Sequence, residues 1–249
     1  GLDTPYLSDK WFECVHACID ECKKFDLEAW LYDEDRWPSG AAGGLVTKDP
    51  TYRMHRLACR RYEGGAGFEW ADTTLAAFTA EVSGHVAVKV KRLKRGAIPK
   101  DLPSGTCVLA FSDEPASCES WYNNYTYLDT LDHEAVREFI RVTHEAYKRE
   151  CGDDFGKTIP GIFTDEPNYC HAHLDQEHLH DAAPWTRFFR RTFRERCGYD
   201  IVAHLPEVFF NIEGREFPRA RYHFYDCATF LFVDAFARQI GEWCEANGL

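Results

Sequence analysis

The sequence predicts an α/β protein: a partial (β/α)8 TIM barrel, about strands 2 to 4 with their helices, carrying an antiparallel β insertion. Three observations predict it. Short apolar runs alternate with amphipathic helical stretches, the rhythm of parallel βαβ units. The three runs read as barrel strands all lead into carboxylates. The stretch 64–123 instead alternates apolar and polar residues with period two. Three parallel strands do not bury both faces of a sheet. The chain is therefore expected to be a segment of a larger barrel, with 1–63 its first part, 64–123 the β-rich insertion and 124–249 its continuation.

Ser8 is placed to cap a helix over about 9–24, with Trp11, Val15, Cys18, Ile19 and Cys22 on one face. Leu27 to Tyr32 reads as the first strand. It ends in Asp33, Glu34 and Asp35, followed by the loop Arg36-Trp37-Pro38-Ser39-Gly40-Ala41-Ala42-Gly43-Gly44. In the insertion, Glu81 to Lys91 alternates as a half-exposed strand does, and Thr106 to Phe111 is a second strand. Tyr125 to Leu128 then reads as a barrel strand, followed by Asp129, with Asp132 capping a helix over about 132–149. Thr158 to Thr164 is the next strand and stops at Asp165-Glu166-Pro167. A His-rich loop, a helix over about 184–197 and a long helix over about 222–246 complete the pattern, with Asn247-Gly248 as a helix stop signal.

Lys plus Arg is 29 and Asp plus Glu is 41, a formal charge of −12. That balance argues against a nucleic-acid-binding face over the whole protein. The basic runs at Lys89–Arg95 and Arg187–Arg196 read as solvated faces. No apolar run reaches the roughly 20 residues of a membrane helix, so no membrane partner is expected. Eleven cysteines form no C-x-x-C pair and are an odd number. Free thiols used as small apolar groups favour a reducing, cytoplasmic setting.

Carboxylates at strand ends suggest a polar cleft, because a buried acid needs partners. Asp165 and Glu166 are the sharpest pair. Glycoside hydrolysis needs one carboxylic acid to protonate the leaving oxygen and a second carboxylate across the sugar. Glu166 is the expected general acid, and Asp165 a supporting acceptor. Trp30, Asp33, Asp35, Arg36 and Trp37 mix flat rings with charged groups, the combination that grips sugar hydroxyls and faces. Asp129 and His171 complete the expected substrate contacts. The expected partner is a carbohydrate, an oligosaccharide or plant glycan. Two-carboxylate chemistry requires no cofactor; the acidic strand ends also suit a Ca²⁺ ion.

The runs LYDEDRWPSGAAGG, YLDTLDHEAVREFI and FGKTIPGIFTDEP together resemble a bacterial family of large TIM-barrel glycoside hydrolases. They are distantly similar to the α-L-rhamnosidase group (glycoside hydrolase family 106-like), in which a W-P-S-G-G-like loop follows the second barrel strand. Asp165-Glu166-Pro167 is similar to the Asn-Glu-Pro end of strand four in many retaining barrel glycosidases. That resemblance implies an acid/base role for Glu166. It also implies that the second catalytic carboxylate, and the remainder of the barrel, come from parts of the protein outside this chain. Two rival readings stand beside the glycosidase. One is a metal-dependent hydrolase using His171, His173 and His178. The other is a non-catalytic carbohydrate-binding barrel.

Overall fold

The computed structural model describes residues 3–169 and 182–249. In chain order the elements are α1 (Asp9–Lys24), β1 (Leu31–Tyr32), β2 (His55–Glu63), β3 (Thr74–Ser83), β4 (Val86–Arg92) and β5 (Thr106–Pro115). Then follow α2 (His133–Val142), α3 (His144–Cys151), β6 (Ile162–Phe163), β7 (Ala182–Trp185), α4 (Phe189–Cys197), α5 (Leu205–Phe209), β8 (Asn211–Ile212), α6 (Arg219–Phe232) and α7 (Gln239–Ala246). The chain divides into two compact units. One comprises Gly1–Met54, Ala116–Tyr169 and Phe232–Leu249; the other comprises His55–Pro115 and Cys170–Leu231. The observed divisions after Met54, Pro115, Tyr169 and Leu231 differ from those expected at 63 and 123.

The expected partial (β/α)8 barrel is not the architecture. In the first unit a two-stranded parallel sheet pairs β1 with β6, Leu31 opposite Ile162 and Tyr32 opposite Phe163. Tyr125 to Leu128 does not join it. Its backbone makes isolated antiparallel bridges instead, Leu128 with Arg53 and Tyr125 with Glu119. The physical reason lies in the hydrogen bonds: Met54 N–H donates to the Tyr127 carbonyl and Asp129 N–H to that of Tyr52. Those groups are therefore spent on the 52–54 segment, not on a third parallel strand.

Helices pack around this small sheet. Ser8 caps α1 as expected, its hydroxyl accepting from Trp11 N–H at 3.2 Å. Phe12 and Ile19 are buried while Cys14 and Cys18 are exposed, so the cysteine face of α1 is not its core face. Asp132 caps α2 through Glu134 N–H at 2.9 Å. The helix expected over 132–149 breaks at Thr143 into α2 and α3. Phe139 of α2 stacks on Phe236, and Tyr147 of α3 meets Phe12 edge-on. Phe236 belongs to a π-helical turn, Val233–Arg238, that runs into α7, so the long helix expected over 222–246 is three segments.

The second unit is built on a six-stranded sheet ordered β7-β2-β5-β3-β4-β8. All its pairings are antiparallel except that of β8 with β4. The run Glu81 to Lys91, expected as one strand, is a hairpin: Gly84 takes φ 54° and turns β3 into β4. Its alternation continues through the turn, which hides the reversal. Leu57, Leu109, Phe111, Phe189, Phe193 and Phe224 are fully buried in this unit. Trp185 stacks on Phe189 at 4.8 Å between ring centres. Arg190 and Arg194 of α4 pair with Asp200, and Arg196 with Asp226, so these basic side chains are matched by acids.

Among the described residues no helix is long and apolar enough to cross a membrane.

Candidate functional site

The C-terminal ends of β1 and β6 lie side by side because the strands are parallel and in register. Each runs into an acidic segment, Asp33 to Asp35 and Asp165 to Glu166, and the two segments are stitched together. Ser39 N–H donates to the Asp165 carbonyl at 2.9 Å, and Asp165 N–H donates back to Ser39 Oγ at 2.8 Å. Tyr127 anchors the same turn, its hydroxyl donating to the Ser39 carbonyl. The ring of Tyr127 lies so close to Gly40 that a Cβ there would sit 3.0 Å from its oxygen, and φ at Gly40 is +121°. Only glycine suits that approach.

The groups that reach the surface at the tip are Glu166, the half-buried Asp165 and aromatic rings. Tyr32 donates its hydroxyl to Asp165 Oδ2 at 3.0 Å. Burial and this hydrogen bond push the Tyr32 phenol up to about 12, so it remains a donor. The Trp37 indole N–H reaches Glu166 Oε2 at 3.2 Å. Trp121 in turn donates its indole N–H to the Trp37 carbonyl at 2.8 Å. Phe163 packs against Tyr32 at 5.8 Å and is 53% exposed; Trp121 is 45% exposed. Glu166 itself is exposed and adopts φ 42°, the left-handed region that side chains other than glycine rarely occupy. A non-glycine residue held there marks local strain, of order 1 kcal/mol or more.

The first acidic segment is placed differently from expectation. Asp33 is fully buried, so it does not reach a ligand at the surface. Its carboxylate accepts from Ser39 Oγ at 2.6 Å and from Thr164 Oγ1 at 2.7 Å, and His144 Nε2 lies 3.7 Å away. Burial pushes Asp33 up to about 6, although the two hydroxyls oppose the shift. Burial drives His144 down to about 3, which keeps it neutral. Glu34 is also buried, and accepts from the N–H groups of Asp35, Arg36 and Ala41. Burial, then its contact with Asp35, pushes Glu34 up to about 10, so it carries a proton at neutral pH. Burial opposes ionisation of Asp35 too. Hydrogen bonds from Glu34, Gly43 N–H, Arg36 and Asn123 outweigh it and hold Asp35 below the usual carboxylate range.

Asp35 and Arg36 form an ion pair at 3.0 Å, and both bond to Asn123. With Tyr6, Trp11 and Gly43 they line a cavity of about 310 Å³. Trp30 sits at the other end of β1 from the tip. It is 61% exposed, with its ring over Gly161 and its indole N–H on Glu28. Asp129 is buried in the turn before α2, its carboxylate accepting from Leu131 N–H at 3.1 Å. Of the expected site residues, Asp165, Glu166 and Trp37 therefore come together at the exposed tip. Asp35 and Arg36 line the cavity, Asp33 lies beneath the tip, and Trp30 and Asp129 are engaged elsewhere. His171, His173 and His178 lie outside the described residues.

The side-chain parts played by Ser39, Trp121, Asn123, His144 and Thr164 are visible only in the structure. Ser39 and Thr164 were readable as polar residues flanking the acidic ends. His144 carried no local signal, since its place depends on α3 packing. Among the described residues no three His, Cys, Asp or Glu side chains are grouped to hold a metal ion. No family model, curated protein or solved structure matches the chain.

Proposed function

We propose that the chain carries a carbohydrate-processing site that cleaves a glycosidic bond, with Glu166 as the proton donor. The observation that carries this reading is the exposed Glu166 carboxyl beside Asp165, in contact with Trp37 and bordered by Tyr32, Phe163 and Trp121. Sugars present alternating apolar faces and hydroxyl edges, and such rings and carboxylates match both. Glu166, in its acid form, delivers its proton to the bridging oxygen as the bond to the anomeric carbon breaks. The Trp37 N–H bears on Oε2, favours a single rotamer and steadies the carboxylate left behind. Asp165, oriented by Tyr32, accepts from sugar hydroxyls or from the attacking water. The similarity of Asp165-Glu166-Pro167 to the Asn-Glu-Pro segment of many retaining glycosidases supports the same assignment of Glu166. The cysteines among the described residues are free thiols, which supports a reducing compartment as the setting.

The test is turnover of a panel of 4-nitrophenyl glycosides, α-L-rhamnoside included, to find the sugar, and then of the matching methyl glycoside, whose leaving alcohol needs the proton, by the chain and by Glu166→Gln. Loss of turnover with retained sugar binding supports general acid catalysis. Unchanged turnover removes Glu166 from the mechanism. Binding without turnover in the unaltered chain favours the non-catalytic carbohydrate-binding reading.

A further inference from the structure

We propose that Asp33 is the positioning residue of the tip: its buried carboxylate clamps the 37–40 turn to the 164–166 segment through Ser39 and Thr164, and so aims Glu166. The proposal rests on the reading of Glu166 as the acid and assigns it a supporting group. Asp33 is fully buried, so its role is carried through other residues. One carboxylate oxygen takes Ser39 Oγ and the other takes Thr164 Oγ1. Ser39 passes the constraint on, because its Oγ accepts Asp165 N–H and its own N–H holds the Asp165 carbonyl. Glu166 is the next residue, held at φ 42°. A backbone in that region relaxes unless its neighbours fix it. Trp37, which contacts Glu166, begins the turn that Ser39 fixes.

The clamp has its full form only while Asp33 is ionised, when both oxygens accept. Protonation turns one oxygen into a donor, and one hydroxyl must reverse. The titratable groups around the carboxylate are His144 and Tyr147 of α3, Cys244 of α7, Tyr6, Tyr127 and Asp165. Burial keeps His144 neutral and the phenols and Cys244 protonated through the neutral range. Asp165 carries like charge. No cation therefore compensates Asp33 among these groups. The arrangement keeps an uncompensated buried charge for the sake of two hydroxyl contacts, which is the pattern of a functional constraint rather than of a stabilising one.

A structural role and a positioning role predict opposite results for Asp33→Asn. The amide keeps one acceptor, removes the charge, and offers its N–H₂ to Ser39 or Thr164 and to His144. We expect higher resistance to urea at pH 8 than in the unaltered chain. We also expect kcat on the methyl glycoside of the best sugar to fall roughly tenfold to a hundredfold, with KM little changed. The clamp is read without turnover by amide exchange of Asp165 in the ¹⁵N-labelled full chain between pH 4.5 and 8. After correction for intrinsic exchange, protection should rise through pH 6 in the unaltered chain and stay flat in Asp33→Asn and in Ser39→Ala. Protection independent of pH in the unaltered chain overturns the proposal, and this measurement stands even where a variant fails to fold. An equal loss of stability and kcat in Asp33→Asn overturns it as well. If no glycoside is turned over, the catalytic reading fails while Asp165 exchange still decides the clamp.

Discussion

Replacing Asp33 by Asn should change how stability depends on pH by an amount the structure sets. The carboxyl stands at about 6 in the folded chain against 3.8 when unperturbed, because burial disfavours the charge. The folded chain thus holds this proton more tightly than the unfolded chain does. The stability contributed by protonated Asp33 is complete below pH 3.8 and is lost as pH rises through about 6. Each pH unit between the two values is worth about 1.36 kcal/mol, so the loss comes to about 3 kcal/mol. Asparagine does not titrate. Urea unfolding of both proteins at intervals from pH 3.5 to 8 should show the variant gaining on the parent by about 3 kcal/mol across that window, then running parallel. Glu34, whose carboxyl is pushed up to about 10, lowers stability over a wider range in both proteins and cancels in the difference. A difference that stays level from pH 4 to 7 would show that Asp33 is solvated or paired, and the account of the clamp would fall.

Glu166→Gln should lower kcat on an unactivated glycoside, such as a methyl glycoside, by about a hundredfold or more, the usual contribution of a positioned acid, and much less on its 4-nitrophenyl counterpart, measured by steady-state kinetics. Trp37→Phe removes one indole donor to Glu166, and a few-fold loss of kcat is expected from a bond worth about 1 kcal/mol. Gly44→Ala places a Cβ 2.5 Å from the Tyr125 ring at φ +79°, and should cost about 2 kcal/mol in urea unfolding. Asp200 is held down to about 2, first by its hydrogen bond to Arg190. Its stabilisation is present above pH 3.8 and fades as pH falls toward 2. Because the paired arginines are largely exposed, Asp200→Asn should cost only about 1 kcal/mol at pH 7, read from the urea midpoint.

The helices and their caps were legible because capping is local. Ser8 and Asp132 each satisfy an orphan N–H within three residues, and the sequence displays both ends of that bond. The strands were less so. Leu31-Tyr32 and Ile162-Phe163 both fall within runs that read as strands, but the expected barrel sets Tyr125 to Leu128 between them; that run, with the same apolar look, bonds antiparallel to the 52–54 segment, and β1 pairs directly with β6. Partner choice is a long-range matter that no window of residues contains. The β2 strand is hidden for a related reason: His55, Arg56, Arg60, Arg61 and Glu63 make its run read as surface, while Leu57, Ala58 and Cys59 are buried in a strand flanked by β5 and β7. Asp165, Glu166 and Trp37 lie together at the tip, where strand ends and mixed aromatic-acidic loops announce polar surface. Asp33 was taken for the same kind of residue. Burial separates it from Asp165, and burial depends on what Thr164, Ser39 and His144 bring from elsewhere in the chain.

Two excursions leave the unit that holds the tip, and each departs and comes back at a narrow stem. Ala116 N–H meets the Met54 carbonyl at 2.8 Å, and the rings of Tyr169 and Phe232 lie 5.2 Å apart. Chain length between such anchors is free to vary, since lengthening a closed loop costs only slowly more entropy. Sequence change in those excursions can therefore be absorbed at four junctions without re-threading the acid-bearing scaffold. The same junctions are natural seams for recombination, where a foreign module spliced in for 55–115 together with 170–231 would leave the paired β1 and β6 ends in place.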